Sequence, residues 1–140
     1  KAIDKTITAR YVNKSLIEIF YDLEITHGIK VYADVPKLPI FVVTRDYKNE
    51  QAWQIVQGLM EGTRMQSLSY SNNEIVVIDK SDLNRQAVES LVTKWKSGEM
   101  NFPFKSKNLL HVSLKYLFTM HRNHLHENRN VVTGLKTPAP

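Results

Sequence analysis

The chain has 140 residues, about the length of one ordinary domain, and 42% apolar residues are enough to give part of it a packed core. Charged residues at 24% are ordinary for a globular chain, and no run approaches the roughly 20 apolar residues of a membrane-crossing helix. Zero cysteines exclude a disulfide scaffold, a zinc knuckle, a thiol nucleophile and an iron–sulfur site. The net charge of +5 is unevenly placed: residues 1–80 carry ten Lys and Arg against ten Asp and Glu, whereas residues 81–140 carry nine against four. Four of the five histidines also lie after residue 80. This shift predicts a unit over residues 1–80, a basic helical extension over 81–126 and a linker-like tail over 127–140. The chain opens on Lys1, so an upstream piece is expected, for which a cleaved signal peptide is one form.

Residues 5–12 are rich in β-branched side chains and read as a strand. Asn13, Lys14 and Ser15 offer a helix N-cap, Leu16, Phe20 and Leu23 follow at helical spacing, and Gly28 supplies the left-handed stop. Residues 29–33 alternate as a second strand. Pro36 and Pro39 mark a connection, and residues 40–44, continuing to Tyr47, a third strand. Asn49 is the expected cap of a second helix with Ala52, Ile55, Val56, Leu59 and Met60 on its apolar stripe, widened by Trp53 and closed by Gly62.

Residues 65–70 and 74–78 read as a hairpin turned by Ser71, Asn72 and Asn73. Ser81 is the expected cap of a third helix reaching Lys96, with Leu83, Ala87, Val88, Leu91, Val92 and Trp95 along one face and Gly98 beyond it. A fourth helix is expected over 109–125. No internal repeat is evident. The predicted fold class is α+β: a β-α-β-β-α-β-β sandwich of two helices with short sheets, followed by the basic helical extension.

Leu16, Phe20 and Leu23, the Thr26-His27-Gly28 turn, a second helix ending Leu59-Met-Glu-Gly-Thr63 and a hairpin ending in residues 74–78 resemble the secretin and TonB N-terminus short domain. The resemblance covers residues 5–79. Gly58 inside the second helix, about 1 kcal/mol poorer than Ala there, and a Pro36–Pro39 loop without glycine depart from the family pattern. The resemblance implies a periplasmic module at the N-terminus of an outer-membrane TonB-dependent receptor or transducer, contacting an inner-membrane regulator or the energy-coupling machinery. The alternative it implies is the entry-ring domain of a secretin, packing into oligomers.

Catalysis finds no support in the motifs: there is no Gly-x-Ser-x-Gly elbow, no phosphate-cradling glycine loop and no His-Glu-x-x-His. Glu18 and Asp22, at i and i+4, are expected to face solvent. No cofactor is expected. His121, His124 and His126 are the weak metal candidates, against the plainer reading of a solvated helix end. The basic tail with Tyr116, Phe118 and Arg122 leaves a nucleic-acid module as a further alternative, although Leu110, Leu114 and Leu117 give those aromatics the spacing of a packing face. His27, Trp53 and Trp95 read as helix-end and core residues. The leading expectation is a protein-binding module, because short sheets leave unpaired edge strands that accept a partner strand. The expected edges hold Arg45 and Tyr47 in one segment and Gln66, Ser69 and Tyr70 in another.

Overall fold

A computed structural model of the chain describes residues 1–102. The expected fourth helix, the 127–140 tail and the candidates His121, His124 and His126 lie outside the described residues. The elements are β1 (Thr6–Ser15), α1 (Leu16–His27), β2 (Lys30–Ala33), β3 (Val42–Gln51), α2 (Ala52–Met60), β4 (Met65–Ser71), β5 (Glu74–Asp79) and α3 (Arg85–Lys96), with single-turn 3₁₀ segments before β1, between β2 and β3, and between β5 and α3. The fold is α+β, with three α-helices and two small sheets among the described residues, in the expected element order.

Local chemistry explains most boundaries. Ser15 caps α1 by accepting the Glu18 N–H at 3.1 Å, while the Glu18 carboxylate accepts the Ser15 N–H at 2.9 Å. Gly28 ends α1 at φ +71. Glu18 is therefore a capping residue, not half of a solvated pair.

Two expected caps are corrected. Gln51, without a side-chain cap, precedes α2, and Asn49 instead sits in β3 at φ +52. Asn84 caps α3 through the Ala87 N–H at 2.9 Å, so the helix begins at Arg85, because Ser81 is engaged by Asp79. In both cases a residue suited to a cap is held instead by another side chain, Thr8 for Asn49 and Asp79 for Ser81.

β1 and β3 pair antiparallel as a two-stranded sheet, and β2-β5-β4 form a three-stranded sheet, parallel at β2–β5 and antiparallel at β4–β5. Helices α1 and α2 lie between the sheets, α1 touching β1 and β2, α2 touching β3 and β4. Phe20, fully buried, and Ile55, 1% exposed, share this central core; each is worth about 1.5–3 kcal/mol in area removed from water.

The other face of the three-stranded sheet is also covered. Val31, Ala33, Ile75 and Val77 point into the central core, while the alternating Tyr32, Val76 and Ile78 pack on Leu91 and Val92 of α3. Burial on both faces is why β5 reads as a continuous apolar run.

The registers hold a relationship that was not evident in the sequence: the absence of an internal repeat is corrected. Thr8, Tyr11, Asn13, Ile19 and Leu23 recur as Thr44, Tyr47, Asn49, Ile55 and Leu59, each 36 positions on. Under that offset β1-α1-β2 maps onto β3-α2-β4, and the pairing maps onto itself. Thr6↔Gln51 is matched by Val42↔Ser15, Ile7↔Glu50 by Val43↔Lys14 and Ala9↔Tyr47 by Arg45↔Tyr11, while Arg10↔Asp46 is its own mate. In the other sheet Lys30↔Glu74 is matched by Gln66↔Ile78 and Val31↔Ile75 by Ser67↔Val77, and Tyr32 and Leu68 share Val76.

A local two-fold axis thus runs through the Arg10–Asp46 pair and Val76. Even the bulges obey it. Asn13 and Asn49 both stand at φ +52, and their N–H groups donate to Thr44 Oγ1 at 3.0 Å and Thr8 Oγ1 at 3.1 Å.

Candidate functional site

The two-fold makes β2 and β4 equivalent edges of the three-stranded sheet, yet their surroundings differ. The Lys30 and Asp34 N–H groups donate to Asn73 and Val77 of the β5 side, so ladder alternation turns the backbone of Val31 and Ala33 outward. There the Trp95 indole N–H donates to the Ala33 carbonyl at 2.9 Å. Phe102, fully buried, stacks edge-on against Trp95 at 4.8 Å and Tyr21 at 6.1 Å. Helix α3 and the segment after it therefore close the β2 edge with aromatic rings.

Among the described residues no such cover lies on β4. Among the described residues β4 pairs with β5 alone. Lys80 N–H donates to the Arg64 carbonyl at 2.8 Å, which fixes the alternation so that Met65, Ser67 and Ser69 turn their backbone groups away from β5. Thr63 Oγ1 accepts the Met65 N–H at 3.0 Å and Gln66 Nε2 donates to the Ser67 carbonyl at 3.3 Å, two local contacts that a docking strand would replace. Beside this edge runs a groove of about 210 Å³ lined by Met60, Glu61, Met65, Gln66, Ser67 and Lys80.

Of the partner-facing residues expected from sequence, Gln66, Ser69 and Tyr70 lie on β4 and Arg45 and Tyr47 on β3. They belong to different sheets on opposite sides of the helix layer, so they do not form one surface. Tyr70 is held by its hydroxyl donating to Glu89 at 2.7 Å, with Lys96 Nζ 6.0 Å from its ring centre. Arg45 is exposed with its guanidinium 5.4 Å from the Tyr47 ring centre, whereas the Tyr47 side chain is in the core.

The two-fold mates Tyr11 and Tyr47 stack edge-on at 6.1 Å and differ at their hydroxyls. Tyr11 donates to Asp22 at 2.7 Å, and Asp22 also accepts from Thr26 at 2.7 Å. Burial first, then the Asp22 bond, pushes the Tyr11 hydroxyl well above its ordinary pKa. Tyr47 is only 3% exposed and its hydroxyl has no partner among the described residues. At the position equivalent to Asp22 stands Gly58, and a Cβ built there would meet nothing within 4 Å. Sequence reasoning missed this contrast because it is legible only after the 36-residue offset is known.

Two carboxylates with shifted acidity are structural. Glu74 lines a polar cleft of about 450 Å³ with Glu24, Lys30, Tyr32, Trp95 and Lys96. Burial raises its pKa, but hydroxyl donation from Ser71 at 2.5 Å and from Tyr32, with Lys96 at 3.6 Å, brings it below the usual value. With its oxygens so engaged, it joins β2, β5 and α3 and is not poised as a base. Asp79, its side chain 4% exposed, is held low by the backbone and hydroxyl of Ser81 and then by Arg64 at 3.0 Å. Among the described residues no group of three His, Asp or Glu converges as metal ligands. Comparison with protein families, curated proteins and solved structures returns no match for this chain.

Proposed function

We propose that this chain is a periplasmic, non-enzymatic protein-binding module at the N-terminus of an outer-membrane TonB-dependent receptor or transducer, contacting a regulator or the energy-coupling machinery. The observation that carries the binding mode is the inequality of two equivalent edges among the described residues: β2 is sealed by Trp95 and Phe102, and β4 has no second neighbour and lies beside a groove. A partner segment adding to β4 in extended form gains main-chain hydrogen bonds at Ser67 and Ser69 and places alternate side chains into the groove at Met60 and Met65. The placement in an outer-membrane receptor rests on the resemblance carried by the Thr26-His27-Gly28 turn, the 59–63 helix end and the 74–78 strand.

The test is Ser67→Pro in the full-length protein in its own cells, read as signalling or uptake output at equal protein level. Proline at an outward-facing edge position removes the N–H a partner needs and leaves the β4–β5 ladder intact. The expected result is a folded protein with the output lost. Full output from Ser67→Pro would overturn the β4 reading.

A further inference from the structure

We propose that the Tyr47 hydroxyl, the Arg45 guanidinium and the bare backbone at Gly58 form a receptor site for the carboxylate of an acidic side chain on the protein partner. The first half of the molecule shows what the site is shaped for. There the equivalent hydroxyl, Tyr11, donates to a carboxylate, Asp22, that its own helix supplies. In the second half the tyrosine is kept and glycine stands in the carboxylate's place, leaving a donor that is more than nine-tenths buried and has no partner among the described residues.

A buried hydroxyl without an acceptor is unfavourable, so an acceptor delivered from outside recovers that loss. Gly58, at the position where the first half carries the Asp22 side chain, is exposed, and a Cβ built there meets nothing within 4 Å. Of the two charged groups that act on the Tyr47 hydroxyl, the Arg45 guanidinium outweighs the Glu50 carboxylate. Arg45 stands where the first half has Ala9, so a cation lies beside the ring of the tyrosine that lacks a carboxylate, and none lies at that position beside the one that has it. A guanidinium and a hydroxyl together suit an anionic oxygen better than a carbonyl.

The inference rests on the protein-partner reading for the identity of the occupant, but not on the β4 edge. The experiment is an NMR titration of the full chain with a terminally blocked Gly-Gly-Asp-Gly-Gly peptide, its Asn counterpart, sodium acetate, and sodium chloride at matched ionic strength. The Asp peptide is expected to shift the Gly58 amide saturably, at least tenfold more tightly than the Asn peptide, with Asp22 unmoved. Tyr47→Phe should abolish the shift and Arg45→Gln weaken it about tenfold.

A stability arm needs no ligand: Gly58→Asp should raise the melting temperature above that of Gly58→Ala, and the excess should vanish in a Tyr47→Phe background. Equal response to the Asp and Asn peptides, binding that survives Tyr47→Phe, or no excess for Gly58→Asp over Gly58→Ala would overturn the site. Saturation by acetate with no response to the Asp peptide would overturn the partner assignment and leave a free-anion site. Any of these failures leaves the Ser67→Pro result to stand by itself.

Discussion

The β1-α1-β2 half and the β3-α2-β4 half share a register and a pair of asparagine bulges, and differ in how completely each satisfies itself. The first half has a serine capping box, a carboxylate for its tyrosine and a sealed edge strand. The second has, among the described residues, a helix start without a side-chain cap, a hydroxyl without a partner and an edge strand with one neighbour. The less satisfied half is where we propose that a partner is received. The difference between the edges comes from α3, which among the described residues has no mate under the two-fold and covers only one of the two edges.

The comparison breaks most severely at Trp95. Trp95→Ala removes packing against Tyr32 and Phe102 and the Ala33 hydrogen bond, and is expected to cost about 3–5 kcal/mol in urea unfolding. Light scattering on the same variant should show concentration-dependent association, because it uncovers the second edge. Asp79 anchors the turn that leads into α3, and Asp79→Asn is expected to cost about 2 kcal/mol at neutral pH.

Because folding lowers the Asp79 pKa, its contribution is present above the ordinary carboxylate value and is lost as pH falls through the folded one. The stability of the wild type should therefore fall more steeply than that of Asp79→Asn below about pH 4.

The tyrosines sharpen the comparison directly. Tyr11→Phe strips a donor from Asp22 and should lose about 1 kcal/mol, whereas Tyr47→Phe, removing an unpartnered hydroxyl, should be neutral or stabilising in the same melt. Smallest of all, Gly58→Ala should gain up to about 1 kcal/mol from helix propensity alone; a larger loss would show that the space over Gly58 is already filled.

Element order was legible because its signals are local: Ser15 with Glu18 three residues on, Gly28 after Leu23, alternation in residues 74–78. Bounds failed where one residue type serves two ends. Asn49 suits a helix cap and an αL bulge equally well, and only the cross-strand partner Thr8 decides between them. The two-fold stayed hidden because its five identities are spread between positions whose chemistry diverges, Ser15 against Gln51 and Asp22 against Gly58. Both segments expected to meet a partner do lie on strands with an unpaired side, but that Tyr47 would be buried, and that β2 would be closed by a tryptophan from α3, depend on contacts 36 and 62 positions apart.

Amide hydrogen exchange across β4 in the full-length protein, alone and engaged with its partner machinery in the membrane, tests the docking claim most directly. The account expects Ser67 and Ser69 to exchange fast in the isolated protein and to gain strong protection on engagement. Protection appearing on the β1–β3 sheet, with Ser67 and Ser69 unchanged, would contradict it.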